Sequence, residues 1–385
     1  MTLAPAFWPC RNFSGPSSLN VAHLENVIVS TLSDLGFGPF FEEQRQRWDG
    51  ENILPARIAA EHRGGYEVWS NTGDGPARLA GRLRHRQDGE GAPAVGDWVG
   101  VRHPPGPERT TVIDRLFARR TVFTRGAAGR EALAQIEAAN VDVVFIVCAL
   151  DEDFNLHRIE RYLARVWASG AAPAVILNKA DLCPDVGDRV REVERLCAGV
   201  PVHPTSALCA DGLAAVQASI KPGMTAAFVG SSGAGKSSLI NAIVGEARMA
   251  TGETRASDGR GCHITTHRQL VLLPAGGLVL DTPGMRELQI LDDEGLDRVF
   301  DDIAERAVQC HFKDCRHDQE PGCAVKAAIN SAQLPPERLE HFQKLEREAQ
   351  AFERRHDKRL QRQSGRAWGQ LHDEAARLRK WKGGE

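Results

Sequence analysis

The sequence contains no long hydrophobic run. Its longest apolar stretch, VDVVFIVCAL, starts at Val141 and includes Asp142, and it has only about half the length that a membrane-spanning helix needs. The opening residues, MTLAPAFWPC, lack the cationic stretch and the apolar core of a secretory signal peptide. These absences predict a protein that makes no contact with a membrane and works in the cytoplasm.

A large net charge is absent as well. The formal net charge is -3 at pH 7, so the molecule as a whole is not a polyanion binder and any basic surface must be local. The nine cysteines are an odd number and come without a secretory signal, which argues against a disulfide framework. With 42% hydrophobic and 26% charged residues, the 385-residue chain has the composition and length of a globular protein with two or three domains.

The character of the sequence changes along the chain, which predicts a multidomain α/β protein. Residues 1–50 form an N-terminal extension to which the sequence assigns no role. Residues 51–118 contain short apolar segments broken by glycine-rich turns and predict an OB-type β-barrel, with an SH3-like barrel as the alternative. Residues 119–291 alternate strand and helix patterns and predict a nucleotide-binding α/β sheet. Residues 292–385 are helical in pattern and contain clustered cysteine and histidine.

A glycine-rich loop follows a short apolar strand and opens a helix. It reads G-S-S-G-A-G-K-S, a phosphate-loop pattern in the strand–loop–helix context that this motif requires. Backbone N–H groups of such a loop converge on phosphate oxygens at a helix N-terminus. Lys236 is expected to reach the β- and γ-phosphates, and the hydroxyl of Ser237 is expected to bind Mg²⁺. The predicted phosphate-binding residues are Gly230, Ser231, Ser232, Gly233, Ala234, Gly235, Lys236, Ser237 and Ser238.

A second loop, N-K-A-D at residues 178–181, indicates which base is bound. The Asp181 carboxylate can accept two hydrogen bonds from N1–H and the exocyclic amine of guanine, whereas adenine would leave it unpaired. An ATPase would require that Asp181 has another role. Asn178 is expected to contact the base and brace the loop, and the Lys179 stem to pack against the ring. With a companion turn at residues 205–207, the predicted base-binding residues are Asn178, Lys179, Ala180, Asp181, Ser206 and Ala207.

Two further segments have the character of GTPase switches. In LVLDTPG, Asp281 is expected to hold Mg²⁺ through water, and the backbone N–H of Gly284 to sense the γ-phosphate. Met285 stands where many GTPases carry a glutamine that orients the attacking water, and its thioether predicts slow intrinsic hydrolysis. Upstream, GRGCHITTH at residues 259–267 resembles a mobile first switch. There Thr265 or Thr266 is the predicted Mg²⁺ ligand, and His263 or His267 is predicted to position water.

The base loop precedes the phosphate loop in this chain, whereas in ordinary GTPases the phosphate loop comes first. The order predicts a circularly permuted Ras-like GTPase domain, an arrangement that preserves a fold when the original termini lie close together. The permutation has a mechanical consequence. The chain leaves the GTPase domain directly after the second switch, so whatever follows is tethered to the element that moves on hydrolysis.

The C-terminal region contains a compact set of metal-binding residue types. The spacing C-x4-C-x-H-x5-C places Cys310, Cys315, His317 and Cys323 within fourteen residues, and three thiolates with one imidazole make a closed, structural Zn²⁺ site. His311 is an alternative for one ligand. Beyond it, residues 354–382 carry ten Lys/Arg against three acidic residues, with two interleaved tryptophans. Such a tail suits RNA phosphates and unstacked bases.

Taken together, these motifs resemble the ribosome small-subunit-dependent GTPase A family (RsgA, also called YjeQ). The likeness covers about residues 53–323 and includes AVGDWV, IEAANVD, NKAD, GSSGAGKSS, GRGCHITTH, DTPGMRE and EPGCAV. The resemblance implies a late assembly factor whose GTP hydrolysis is stimulated by the small ribosomal subunit. It also implies that the barrel and the zinc domain contact rRNA near the decoding region. We further expect other small-subunit assembly factors as partners, and a monomeric chain.

The first switch departs from the family pattern G-R-G-R-H-T-T-T. Cys262 replaces the arginine and Ile264 replaces the first threonine, so any role that needs an arginine at this position is put in question. Besides an ATPase, which would require that Asp181 has another role, two rival functions remain open at this point. One is a nucleotide-dependent RNA clamp in which hydrolysis is vestigial, and the other is a permuted GTPase that acts on the large subunit.

Overall fold

The structure is a computed structural model of the chain. It describes residues 31–48, 51–62, 64–84, 92–107, 109–126, 134–245, 268–281, 295–352 and 354, and structural statements refer to these. Within them, no helix is long and apolar enough to cross a bilayer.

Five strands in the first part of the described chain close into a barrel. Their order is β1-β2-β3-β5-β4, and β4 also pairs with β1. The β3–β5 pair is parallel. After β3 the chain crosses to the far side of the barrel to form β4 beside β1, and β5 then returns to lie next to β3. This Greek-key closure confirms the OB-type barrel. The elements are β1 (Leu54–His62), β2 (Gly65–Ser70), β3 (Gly73–Leu79), a short helix (Gly81–Arg84), β4 (Trp98–Val101) and β5 (Thr111–Leu116).

The end of the N-terminal extension packs on this barrel. Residues 31–48, which include the helix α1 (Pro39–Gln46), present aromatic side chains to the fully buried Trp98. The ring centroids of Phe37 and Phe41 lie 4.7 and 5.8 Å from that of Trp98. Burial of these apolar rings stabilises the barrel end, so this part of the extension belongs to the barrel core.

An α/β sheet with the order β10-β9-β8-β11-β13-β12 forms the second unit. Strands β8, β9, β10, β11 and β13 pair in parallel, and β12 runs antiparallel to β13. All seven residues of β8 are buried, as expected of a parallel strand covered by helices on both faces. The strands are β8 (Val143–Ala149), β9 (Ala172–Asn178), β10 (Val202–Pro204), β11 (Thr225–Gly230), β12 (Gln269–Leu272) and β13 (Leu278–Asp281). A hairpin of β6 (Val122–Gly126) and β7 (Ala134–Ala139) precedes them.

Helices cover this sheet and form the C-terminal region. The sheet helices are α2 (Leu156–Ala168), α3 (Val186–Leu196), α4 (Leu213–Ser219) and α5 (Lys236–Val244). The C-terminal helices are α6 (Leu296–Val299), α7 (Asp301–Ala307), α8 (Ala324–Asn330) and α9, over residues 336–352.

A buried arginine joins the barrel to the sheet. The guanidinium of Arg57, on β1, donates hydrogen bonds to the carbonyl oxygens of Leu35, Gly96 and Asn140 and to the hydroxyl of Thr225 at the start of β11. Burial lowers the pKa of Arg57 to about 10. The side chain remains charged at neutral pH and fixes the barrel against the sheet.

A second polar cluster joins α2 to the C-terminal helices. The Glu160 carboxylate lies 2.6 Å from Arg338 Nη1, 3.0 Å from His157 Nδ1 and 2.5 Å from His341 Nδ1. Arg338 in turn contacts Asp302 at 2.6 Å. Glu160 and His341 are both buried, so these charges are compensated within the interface rather than by water.

Candidate functional site: two nucleotide loops and a Cys3His cluster

The phosphate loop lies between β11 and α5, at the carboxyl edge of the sheet. Glycine is required at two positions of this loop, because another segment of the chain lies so close that a side chain would not fit. Gly230 has a φ of 145°, and a Cβ there would meet the carbonyl oxygen of Val147 at 2.2 Å. Gly235 has a φ of 91°, and a Cβ there would meet Asn178 Nδ2 at 2.2 Å. No other residue fits these positions without displacing the backbone or the base loop.

The lysine of the phosphate loop opens α5 and lies against the loop itself. Lys236 Nζ is 2.7 Å from the carbonyl oxygen of Gly230 and 2.5 Å from that of Ser231. Ser237 and Ser238 follow in the first turn and are partly buried. The ammonium group of Lys236 and the backbone N–H groups at the N-terminus of α5 therefore lie at the same end of this helix. This arrangement can bind phosphate oxygens.

The base loop is connected to the phosphate loop by one side chain. Asn178, at the end of β9, is buried, and its Nδ2 donates to the carbonyl oxygen of Ala234 at 2.8 Å. Its Oδ1 accepts from the Ala207 backbone N–H at 3.2 Å and from the Thr205 hydroxyl at 3.3 Å. The structure therefore brings together the tetrad, the companion turn and the phosphate loop. Asp181 lies exposed in the short 3-10 helix Ala180–Leu182 that follows.

The predicted switch residues lie mostly beyond the part of the chain that the structure describes. His263, Thr265, Thr266 and Gly284 are outside the described residues. Asp281 is the last residue of β13, which is the parallel neighbour of β11. Its backbone is therefore at the same sheet edge as the phosphate loop, one strand away.

Two acidic residues missed by the sequence analysis contact both loops. Asp151 and Asp153 follow β8, and Asp151 Oδ2 is 2.7 Å from Lys179 Nζ. Asp153 Oδ2 accepts a hydrogen bond from the hydroxyl of Ser231 at 2.8 Å. A hydrogen bond from Arg158 is the main cause that lowers the pKa of Asp153. The available signal was their position directly after a buried parallel strand, at the sheet edge where α/β folds bind ligands.

The four predicted zinc ligands meet in the C-terminal region. The ligand atoms of Cys310, Cys315, His317 and Cys323 all lie within 4.8 Å of one another. Cys310 Sγ is 3.9 Å from Cys323 Sγ and 3.7 Å from His317 Nδ1, and His317 Nδ1 is 3.4 Å from Cys323 Sγ. Tetrahedral Zn²⁺ with ordinary bond lengths separates its ligand atoms by about 3.5 to 3.8 Å. The donor set fits Zn²⁺, and His311, the alternative ligand, is not a member of it.

The surroundings of the cluster shift the pKa values of its members in different directions, and burial raises the pKa of Cys315 to about 11. Burial lowers the pKa of His317, which favours the neutral form of the imidazole. Burial alone raises the pKa of Cys310, but hydrogen bonds from the backbone of Ala324 and Val325 outweigh it and lower that pKa. Cys323 caps α8, its Sγ accepting from the backbone N–H of Lys326. Thiolates and a neutral imidazole are the forms that metals bind.

Comparison with known proteins yields a consistent set of relatives. The sequence profile of the RsgA GTPase family matches residues 116–291. A protein of Opitutus terrae, named small ribosomal subunit biogenesis GTPase RsgA, is 45% identical over 352 residues, which is 89% of this chain and 96% of the relative. The crystal structure of YjeQ from Thermotoga maritima has a TM-score of 0.59 at 28% identity, covering 77% of this chain and 98% of that one.

A further solved structure bears on the fold alone. The structure of YloQ, a circularly permuted GTPase, has a TM-score of 0.58 at 24% identity, and the match covers 78% of this chain and 96% of that one. In the present chain, β8 and β9 precede β11 in sequence, β8 pairs with β11, and β9 pairs with the other side of β8. The comparisons and this strand order confirm the permuted GTPase fold.

Proposed function

Because the chain belongs to the RsgA GTPase family and is a GTP hydrolase, we propose that it binds the small ribosomal subunit and assists the late maturation of that subunit. Hydrolysis of GTP to GDP and phosphate is slow in the free protein and faster on the subunit. The relative that is 45% identical over 89% of this chain has a name that states small-subunit biogenesis. The observation that carries the nucleotide site is the hydrogen bond from Asn178 to Ala234, which joins the base loop to the phosphate loop.

We assign the nucleotide contacts to the two loops. Asp181 recognises the guanine edge, the companion turn at residues 205–207 supplies a backbone N–H for guanine O6, and Asn178 holds both segments in place. The phosphate loop from Gly230 to Ser238 surrounds the triphosphate, with Lys236 opposite the β- and γ-phosphates. Ser237, Thr265 and Asp281 are the proposed Mg²⁺ ligands, and Mg²⁺ when bound neutralises charge on the phosphates.

Hydrolysis is assigned to in-line attack by water. His263 positions this water, Thr265 or Thr266 closes the first switch, and the backbone N–H of Gly284 contacts the γ-phosphate. Met285 supplies no group for orienting water, which is why the free protein is slow and the bound subunit must complete the site.

The regions outside the GTPase domain are proposed to bind the ribosome. The proposed division is an extension over residues 1–50 whose end packs on the barrel, the OB-type barrel over 51–118, the permuted GTPase domain over 119–291, and the zinc domain with its basic tail over 292–385. One structural Zn²⁺ at the Cys3His cluster holds the C-terminal region in shape, and the barrel, the zinc domain and the tail contact rRNA. The protein acts as a monomer in the cytoplasm, alongside other small-subunit assembly factors.

Phosphate release with purified ribosomal subunits tests the proposal. We expect GTP turnover to rise on addition of small subunits, and not on addition of the same concentration of large subunits. The variant His263→Ala separates binding from catalysis, because it should co-sediment with small subunits while losing most of the stimulated turnover. Equal stimulation by large subunits would contradict the proposal, and binding without any stimulation would instead support an RNA clamp.

A further inference from the structure

The chain between β8 and α2 touches both nucleotide loops. We name residues 151–155 the bracing loop. Asp151 Oδ2 is 2.7 Å from Lys179 Nζ of the base loop. Asp153 Oδ2 accepts a hydrogen bond of 2.8 Å from the Ser231 hydroxyl of the phosphate loop. A loop outside the recognised motifs thereby connects the segment that reads the base to the segment that holds the phosphates.

The bracing loop is itself held by hydrogen bonds at both of its ends. The backbone N–H of Leu150, just before it, donates to the carbonyl oxygen of Asn178 at 2.8 Å. The Asp153 backbone N–H donates to Asp151 Oδ1 at 3.0 Å, which couples the two carboxylates. At the other end, Asn155 caps α2, its side chain accepting from the backbone N–H of Arg158 at 3.0 Å. A loop constrained in this way can hold the side chains that it contacts at fixed positions.

Two carboxylates beside a phosphate-binding loop would repel the ligand if their charges were uncompensated. In the structure each has a cationic partner. Lys179 pairs with Asp151, and Arg158 forms a forked contact with Asp153, with Arg158 Nη2 2.9 Å from Asp153 Oδ1. Pairing with cations reduces the field that the carboxylates project onto the phosphates, and the oxygen of Asp153 remains available as an acceptor for Ser231.

We propose that Asp151 and Asp153 are positioning residues for nucleotide binding, which hold the base loop and the phosphate loop at the separation that a guanine nucleotide requires. The inference rests on the proposed nucleotide site and adds residues that belong to none of its motifs. The bracing loop contacts the loops rather than the reacting atoms. Its loss should therefore weaken binding of GTP and GDP alike, with the effect in KM rather than in kcat.

The Asp153–Ser231 contact gives the sharpest test. Asp153→Ala and Ser231→Ala should each weaken GDP and GTP binding about tenfold, the scale of one hydrogen bond to a charged acceptor. The double variant should be no weaker than either single variant, because both substitutions remove the same contact. Asp153→Asn keeps a side-chain oxygen acceptor for the Ser231 hydroxyl and should restore most of the affinity. Asp151→Ala should weaken both nucleotides similarly through Lys179.

Glu152→Ala is the matched control, because Glu152 is exposed on the same loop and no ion pair involves it in the described part of the chain. Affinities are measured by calorimetry with GDP and with a non-hydrolysable GTP analogue, and turnover is measured at saturating GTP.

Additive losses in the double variant, or a fall in kcat at unchanged affinity, would overturn the inference. If Asp153→Ala does not fold, Ser231→Ala and Asp153→Asn still decide it. Failure of the wild type to bind guanine nucleotides would defeat the proposed function, whereas wild-type affinity in Asp153→Ala would defeat only the bracing role.

Discussion

The side-chain amide of Asn178 donates a hydrogen bond of 2.8 Å to the carbonyl oxygen of Ala234, 56 residues further along the chain. Ala234 lies in the phosphate loop, and Asn178 is the first residue of the N-K-A-D tetrad. The same side chain accepts hydrogen bonds from Thr205 and Ala207. One buried amide therefore holds together three segments that a circular permutation has placed in an unusual order.

Exchange of Asp181 for asparagine should change which base is bound. The asparagine amide offers one donor and one acceptor where the carboxylate offers two acceptors, so the exocyclic amine of guanine loses its partner. We expect GTP affinity to fall by about a hundredfold or more, while affinity for xanthosine triphosphate, which carries an oxygen at that position, rises. Competition binding with GTP, ATP and xanthosine triphosphate measures this. An unchanged preference for GTP would show that Asp181 does not read the base.

Removal of one zinc ligand should unfold the C-terminal region locally. Cys315→Ser leaves three ligands and should reduce bound zinc from one per chain to nearly none, with a fall in the unfolding temperature of about 5 °C or more. Metal analysis and calorimetry provide the two measurements. Cys209→Ser changes an exposed thiol outside the cluster and should leave both quantities unchanged. Full zinc content in Cys315→Ser would remove this residue from the ligand set.

The contact between α2 and the C-terminal helices should weaken in acid. Burial alone raises the pKa of Glu160, but the close imidazoles of His341 and His157 and the charge of Arg338 outweigh it and lower that pKa below its ordinary value of 4.5. A carboxyl group whose pKa is lower in the folded than in the unfolded protein stabilises the folded state. This stabilisation is complete at pH values above the unfolded-state pKa and is lost as the pH falls through the folded-state pKa.

The matched variant for this dependence is Glu160→Gln, which keeps the shape of the side chain. We expect the free energy of unfolding of the variant to be lower than that of the wild type at pH 7, and the difference to shrink as the pH falls below about 4.5. Denaturant titrations at several pH values measure it. A difference that stays constant down to pH 3 would show that ionisation of Glu160 does not support the interface.

Loss of the Arg57 guanidinium should weaken the contact between the barrel and the sheet. Arg57→Met fills a similar volume but leaves the buried acceptors of Leu35, Gly96 and Asn140 without this donor. We expect a loss of about 3 kcal/mol in the free energy of unfolding, because each unpaired buried polar group carries a desolvation cost. Arg78→Met, at an exposed position on β3, is the control and should change stability little. Equal effects of the two substitutions would contradict the assignment.

Much of the site was predictable because its chemistry is local in sequence. A phosphate loop requires glycines and a lysine at fixed spacing, and these requirements are met within the eight residues from Gly230 to Ser237. The Cys3His spacing is similarly compact, so its chelate could be predicted without tertiary information. The pattern of short apolar segments and turns also predicted a β-barrel, but it did not distinguish an OB barrel from an SH3-like one.

The features that escaped prediction depend on contacts between distant segments. The parallel β3–β5 pairing decided the barrel type, and the packing of Phe37 and Phe41 on Trp98 gave the N-terminal extension a place in the core. Asp153 became part of the site only through Ser231, 78 residues away. The amino-acid sequence determined the identity of the loops, because their backbone and ligand requirements act over a few residues. Only the tertiary structure decided which side chains hold those loops together, because hydrogen bonds between distant segments depend on how the whole chain packs.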